Sequence, residues 1–531
     1  MSLGIVLIST VVIEWFVLRR LQFDAVVMAI VLAGTALYVD YLSYTSVGER
    51  NYDAESHIQY IGAIASTLHP PDASSCVACG HPPLYYALAA VWSKFVLVSG
   101  LMPLELGLQW LSLLLFSAFV IASLLVFRSC TRERSTLRLA AALVAFWPSS
   151  VIHSIRVHND ALATPLMLAA MYFTAEWDKH SRSKDFLAAL VISALALMTK
   201  ASGYAVATAL LLFTAWRLRA SEQRSRTLKQ LISATLVLGT TALLTITLRA
   251  SRIPRKPCQL ILGAACNERY VPPLPDSPAR FLSFHLHDFV TRLAVSPEDP
   301  VLNRVAKSSL FGVIALGEPF TDLRHEVLAR CLSWGLLAML TLCLLGLPLL
   351  DRAALRENRV YLGSVAIMGL FLLAFRLRAP NEFHEDVRHV FAVLAPLCLG
   401  YAAVVARLGR TSKLLRYAGV ALALVMMALS VAFFARPFAT RAPTTISAIE
   451  VGAQTKSTAG GGYWRFFDFT SHWLLLQYEQ PEPTRTPLPV APSSPLRRQF
   501  SHARLILVKS PPRALPRSPP CPMFLLKSMI G

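Results

Sequence analysis

The sequence predicts an all-α polytopic membrane protein, a bundle of about twelve transmembrane helices with outer-face loops and amphipathic helices at the interface. Three observations predict it. Of 531 residues, 55% are hydrophobic and only 15% charged. The apolar residues fall in long continuous runs, such as 104–127, 231–248, 331–350 and 414–434. The basic residues fall in the short segments between runs. A spanning helix needs roughly 20 mostly apolar residues. Only helices and closed barrels satisfy their backbone groups in hydrocarbon, and continuous rather than alternating runs favour helices.

The first run, 3–18, is short and holds Glu14. It reads as a signal-type segment or a thin first span, and the lack of a small-residue cleavage site favours its retention. With Arg19 and Arg20 in the cytoplasm, the run 24–44 goes outward and residues 45–83 form an outer loop. Run 84–99 is apolar but short and carries Lys94, which suits a helix lying near the interface. Run 104–127 returns to Arg128, Arg132, Arg134 and Arg138. Runs 139–155 and 161–177 form an outward pair closed by Lys179, Arg182 and Lys184. Runs 186–199 and 204–216 form another, closed by Arg217, Arg219, Arg224, Arg226 and Lys229. Run 231–248 leads out to a long loop, 249–330. Run 331–350 comes in to Arg352, Arg356 and Arg359, and 360–375 goes out. Run 390–406 comes in to Arg407, Arg410, Lys413 and Arg416, and 414–434 goes out. Every basic turn lands on one side, as short cytoplasmic loops require.

Two domains follow. Residues 1–435 form the membrane domain, and 436–531 a non-cytoplasmic tail rich in Pro and Arg, partly disordered by composition. An aromatic patch, Tyr463-Trp464-Arg465-Phe466-Phe467, sits near the tail's start. The net charge of +20 belongs to the loops. No zinc-finger spacing and no basic stripe interleaved with aromatics supports nucleic-acid binding.

Of nine cysteines, Cys130, Cys331, Cys343 and Cys398 lie in or beside apolar runs and read as small core residues. Cys76, Cys79, Cys258, Cys266 and Cys521 lie in hydrophilic stretches. In an oxidising compartment Cys76–Cys79 and Cys258–Cys266 would be local disulfides, and a four-Cys zinc site is the competing reading. His285, His287 and Asp288 match no strong metal motif, so no cofactor is expected and a divalent metal is not indicated.

The unusual polar residues gather at the outer ends of the runs. Asp53, Glu55 and His57 fall within five residues just past the second run, where a carboxylate could act as general base or cap a helix. His81-Pro82-Pro83-Leu84-Tyr85-Tyr86 fixes the backbone where the chain re-enters the membrane, and could hold His81 toward a phosphate. Arg156-Val157-His158-Asn159-Asp160 is a turn far more polar than a connection requires. Lys200 closes another run, and Arg376, Arg378, Asp386, Arg388 and His389 flank a later outer turn. Cations there oppose the inside bias. A lipid-linked phosphate would explain them, and snorkelling to headgroups is the alternative.

The order of these pieces resembles the GT-C superfamily of membrane glycosyltransferases, closest to the protein O-mannosyltransferase-like and aminoarabinose-transferase-like groups. The pieces are Tyr52-Asp53-Ala54-Glu55-Ser56-His57, His81-Pro82-Pro83-Leu84-Tyr85-Tyr86, Asn159-Asp160, Thr199-Lys200-Ala201-Ser202-Gly203, Lys307-Ser308-Ser309-Leu310-Phe311-Gly312 and Arg388-His389. The resemblance covers roughly 24–435. It implies a GT-C-like bundle in a cell-envelope membrane, the inner one in a bacterium. It also implies inverting transfer from a polyprenyl-phosphate sugar to a lipid, glycan or protein on the non-cytoplasmic face. Asp53, Glu55 and Asp160 take the catalytic places; His81, Lys200 and Arg388 the donor phosphate; His57, Tyr85, His158 and Asn159 supporting places. The chain departs from the pattern at Ala54, which separates Asp53 from Glu55, at His81, where a Lys stands in one group, and at His389, where a Tyr is usual. The expected partners are the lipid-linked donor and membrane lipids, with the acceptor open and no nucleic acid. A polytopic transporter or a polysaccharide polymerase or ligase are the other classes that this many spans would suit. A transporter should show repeats between two halves, and none is visible.

Overall fold

In hydrocarbon each backbone N–H and C=O needs a partner within its own segment, so apolar runs of membrane length close into helices. The computed structural model describes residues 2–48, 53–73, 75–220, 224–250, 283–292, 299–312, 323–378, 386–435, 463–469, 472–478 and 505–507. It divides into two compact units, Met1–Ala439 and Thr440–Gly531.

The first unit is helical. In chain order come α1 (Ser2–Arg20), α2 (Ala25–Tyr44), α3 (Ala54–Thr67), α4 (Leu84–Ser99), α5 (Leu104–Cys130), α6 (Arg134–Phe146), α7 (Pro148–His153), α8 (Asp160–His180), α9 (Ser183–Thr199), α10 (Gly203–Ala220) and α11 (Arg224–Ala250). The short helices Leu286–Thr291 and Val301–Phe311 follow, then Leu323–Gly346, Arg352–Glu357, Arg359–Arg378, Leu394–Thr411 and Lys413–Phe434. Among the described residues, eight helices are long and apolar enough to cross a membrane. They are α1, α2, α5, α11, Leu323–Leu349, Arg359–Arg376, Val387–Thr411 and Lys413–Phe434. The protein is thus an integral, multi-pass membrane protein, with α4 as a shorter apolar helix. The remaining crossings expected from the sequence fall on α6 with α7, α8, α9 and α10, which do not meet that length and hydropathy.

The expected run 139–155 is not one helix. A residue before proline is pushed out of the α region, and Pro148 has no N–H to continue the ladder. Trp147 accordingly takes an extended conformation (φ −64°, ψ 133°) between α6 and α7. The break is anchored from outside: Trp147 Nε1 and Ser149 Oγ both donate to the Ser309 carbonyl at 2.6 Å.

Burying polar side chains between spans requires partners. Glu14 on α1 accepts from Thr35 Oγ1 on α2 at 2.7 and 2.9 Å. Asp24 caps α2 by accepting from the N–H groups of Val26 and Val27. α8 packs against α5 and α9, and a 3₁₀ segment, Val387–Val393, packs against α8 and Val301–Phe311. These contacts bring the start of α8, the end of α9 and the entry to the late span together. Cys76 and Cys79 form a disulfide in the loop before α4. Cys258 and Cys266 lie outside the described residues.

In the second unit, β1 (Tyr463–Phe469), β2 (His472–Tyr478) and β3 (Leu505–Leu507) form an antiparallel sheet in the order β1-β2-β3. Tyr463 pairs with Tyr478 and Leu475 with Ile506. The aromatic patch noticed in the sequence is therefore part of β1, where aromatic residues favour a pleated strand.

Candidate functional site

Asp53 occupies the cap position of α3 but makes no cap hydrogen bond. Its carboxylate faces three other groups instead. Arg388 Nη1 lies 3.4 Å away, His57 Nε2, one turn along α3, 3.6 Å, and Arg156 Nη2 3.9 Å. Burial opposes ionisation of Asp53, but Arg388, His57 and Arg156 outweigh it and hold the carboxyl well below the usual carboxylate range.

His57 connects Asp53 to the His-Pro-Pro element. Its Nδ1 is 2.8 Å from the Tyr86 hydroxyl. With Nε2 toward a carboxylate, the consistent assignment has Nε2–H donating to Asp53 and Nδ1 accepting from Tyr86. Tyr86 stacks on Tyr60 with centroids 3.8 Å apart, and the Tyr60 hydroxyl donates to the His81 carbonyl at 3.2 Å. Tyr85, fully buried, stands edge-on to Tyr86 and steadies that ring. The His81 ring lies parallel to His57 at 6.1 Å and lines a separate cavity with Gly80, Pro82, Thr245 and Leu248.

The polar turn between α7 and α8 is buried throughout. His158 Nδ1 accepts the backbone N–H of Asp160 at 3.0 Å. Burial, together with Arg156, His153 and Lys200, holds the His158 imidazole well below its ordinary pKa, so it is neutral. Asn159 donates to the Thr199 carbonyl at 3.4 Å, which stitches the start of α8 to the end of α9. Lys200, just past α9, pairs with Asp160 through its ammonium group. Burial lowers the Lys200 pKa and Asp160 opposes that change.

Removing one partner of such a buried pair leaves the other charge stranded. Lys200→Met is expected to lower stability by at least about 1–3 kcal/mol. Adding Asp160→Asn in the same chain should recover most of that loss. Thermal unfolding of the detergent-solubilised protein checks both.

Arg388 enters from the 3₁₀ segment. Asp386 at its cap accepts the Arg388 backbone N–H at 2.9 Å, and its other oxygen lies 3.6 Å from Arg388 Nε. Burial raises the Asp386 carboxyl pKa, with Arg388 opposing. The Val387 N–H donates to Ser308 Oγ at 2.9 Å, which ties this segment to the Lys-Ser-Ser patch on Val301–Phe311.

The structure therefore gathers Asp53, His57, His158, Asp160, Lys200 and Arg388 into one buried cluster, with Asn159 bracing it. A narrow cavity opens beside it, lined by the polar His153, His158, Asp160 and Arg388 and by the aromatic Phe116 and Phe391. Glu55 is not in the cluster: it is exposed on α3 and accepts from Gln59 at 3.2 Å. Arg156 and Asp386 were visible in the sequence as members of polar turns but had no role there. His153 went unnoticed, and its only signal is that it stands five residues before His158. Among the described residues, no group of three or more His, Cys, Asp or Glu is placed to hold a metal ion. Asp288 is engaged by His285 and Arg292, each at 3.3 Å.

Residues 80–247 match the family model described as dolichyl-phosphate-mannose-protein mannosyltransferase. The resemblance to the protein O-mannosyltransferase-like group is met over that stretch, which carries His81, Tyr86, His153, Arg156, His158, Asp160 and Lys200. No curated protein matches the chain. Among solved structures, the chain is similar to the apo oligosaccharyltransferase of Archaeoglobus fulgidus, with 13% identity and a TM-score of 0.43. That likeness covers 78% of this chain and 56% of the other, so the chain spans little more than half the length of that relative. It is also similar to ArnT from Cupriavidus metallidurans, solved bound to undecaprenyl phosphate, with 16% identity and a TM-score of 0.36 over 77% of this chain and 76% of that one.

Proposed function

We propose that the protein transfers a sugar from a polyprenyl-phosphate donor to an acceptor hydroxyl on the non-cytoplasmic face, inverting the anomeric configuration. The observation that carries this reading is the Asp53 carboxylate set against Arg388 beside a cavity lined by polar and aromatic side chains. Asp53 and Arg388 lie outside the 80–247 family match, yet they meet the residues within it in space. The loop charges support the outer side, because all the clustered residues fall at run ends opposite the basic turns.

In the proposed step Asp53 accepts the proton of the acceptor hydroxyl. The hydroxyl oxygen bonds to the anomeric carbon as the bond from that carbon to the phosphate oxygen breaks. The electron pair leaves with the phosphate, which needs no general acid but gains a negative charge. Arg388 would stabilise that charge. A carboxylate held far below neutral pH is a weak base. The donor phosphate corrects this by sharing Arg388 and so weakening its hold on Asp53. Lys200 pairs with Asp160 at the start of α8 and acts on the phosphate through the local field.

Purified protein given a donor labelled in its sugar, with candidate acceptors drawn from its own membrane, tests the reading. Labelled product of inverted anomeric configuration, with one polyprenyl phosphate released per sugar, is expected. Product that keeps the donor's configuration would overturn single displacement, and no turnover with any acceptor or with water would overturn the transferase reading.

A further inference from the structure

Three cations, Arg156, Lys200 and Arg388, and three carboxylates, Asp53, Asp160 and Asp386, meet in the cluster. Each of these cations already faces a carboxyl group, so an entering phosphate finds none of them without an acidic neighbour. It does find two imidazoles with an uncommitted Nε2. His153 and His158 are 5% and 2% exposed, and the Nε2 atom of each is buried with no hydrogen-bond partner. Both rings line the narrow cavity that Arg388 also lines. They are in edge-to-face contact with centroids 5.9 Å apart.

The hydrogen bonding fixes what His158 offers. Its Nδ1 already accepts the Asp160 N–H, so in the neutral ring the proton sits on Nε2. A buried N–H without a partner costs free energy that a ligand acceptor would return. His153 rests against the Phe391 ring, centroid to centroid 4.6 Å, which fixes its plane at the cavity wall. On this wall the carboxylate, Asp160, is already neutralised by Lys200. The unspent His158 N–H is a donor, His153 presents a second one when its proton sits on Nε2, and the complement of such a pair is an anion.

We propose that His153 and His158 bind the phosphoryl group of the lipid-linked donor through their Nε2 atoms, together with Arg388. The inference rests on the transferase reading. It assigns the phosphate to two imidazole N–H groups in addition to the arginine, with the His153 proton placed on Nε2. The donor phosphate is a diester with one negative charge and the released lipid phosphate is a monoester that can carry two. Donors aimed at its oxygens therefore bind the leaving group more tightly than the ground state, which is the condition for lowering the barrier.

The test measures binding of a polyprenyl monophosphate to the full-length protein in detergent, with the matching polyprenol and inorganic phosphate as separate probes. Wild type should bind the lipid phosphate saturably and prefer it to the polyprenol. His153→Phe and His158→Phe should each weaken lipid-phosphate binding about tenfold or more, the range of a hydrogen bond to a charged group. Polyprenol binding should be unchanged, which also reports that the variants are folded. His158→Gln, which keeps a side-chain N–H, should recover part of the loss. Phe variants that bind the lipid phosphate as wild type does would overturn the histidine assignment and leave the transferase reading standing. A wild type that does not distinguish lipid phosphate from polyprenol would overturn the lipid-linked donor. If inorganic phosphate then still bound with the same histidine dependence, the phosphoryl site would stand without the lipid.

Discussion

Asp53→Asn is expected to reduce sugar transfer by about 10²- to 10⁴-fold, the usual worth of a positioned general base. The substitution keeps the shape and the hydrogen-bonding capacity toward Arg388 and His57, so protein abundance and lipid-phosphate binding should change far less than turnover. Wild-type turnover in the Asn variant, at normal expression, would remove Asp53 from the mechanism. The pH profile adds an independent reading. Without donor, the carboxyl is held well below the usual range by Arg388, His57 and Arg156 against the effect of burial. The base is therefore ionised above that depressed pKa and lost only as pH falls through it. The profile of kcat/KM reports the free enzyme and that of kcat the bound complex. If the donor phosphate shares Arg388, Asp53 becomes more basic in the complex. The acid limb of kcat should then lie at higher pH than that of kcat/KM. Coincident limbs would mean that the donor does not loosen the Arg388–Asp53 pair.

Much of the frame was legible because hydropathy and loop charge are properties of whole segments. The run 84–99 became a helix with the same bounds, and the run 104–127 lies inside α5. The break at Trp147 was legible in principle, since Pro148 forbids a continuous helix. The apolar residues on both sides hid it by filling one membrane-length window. The site was only half legible. Asp53, Asp160, Lys200 and Arg388 announced themselves as charges at outer run ends, but which charge neutralises which is a fact of tertiary packing. Lys200 looked like a phosphate ligand because no acid lies near it in sequence; Asp160, forty residues earlier, is its partner. Glu55 looked equivalent to Asp53 because they are two residues apart. On a helix that spacing turns side chains to different faces, and only Asp53 and His57, one turn apart, share the buried one. His153 was hidden for the opposite reason. A lone histidine in an apolar run reads as core, and its orphaned Nε2 exists only once α7 is folded.

Arg388 carries the second large effect, because it touches Asp53, Asp386 and the cavity at once. Arg388→Met should lower kcat by about 10²- to 10³-fold, the cost of removing one donor from developing charge. Arg388→Lys keeps the charge yet should recover little. A guanidinium presents five N–H groups in a fixed fork, here turned with Nε toward Asp386 and Nη1 toward Asp53, whereas an ammonium is a single point. Full activity in the Lys variant would show that charge alone suffices and that the fork is idle. The two substitutions also separate catalysis from base tuning. Arg388 is the foremost group depressing Asp53, ahead of His57 and Arg156, and only burial opposes it more strongly. Without the guanidinium, burial gains ground and the Asp53 pKa rises. In the Met variant the residual kcat/KM should therefore lose its acid limb at higher pH than wild type, even as the rate falls. The lowered rate with an unmoved limb would assign Arg388 to the phosphate and leave Asp53 tuned by His57 and Arg156 alone. A limb that moves with the rate means one arginine both anchors the donor and sets the strength of the base that uses it.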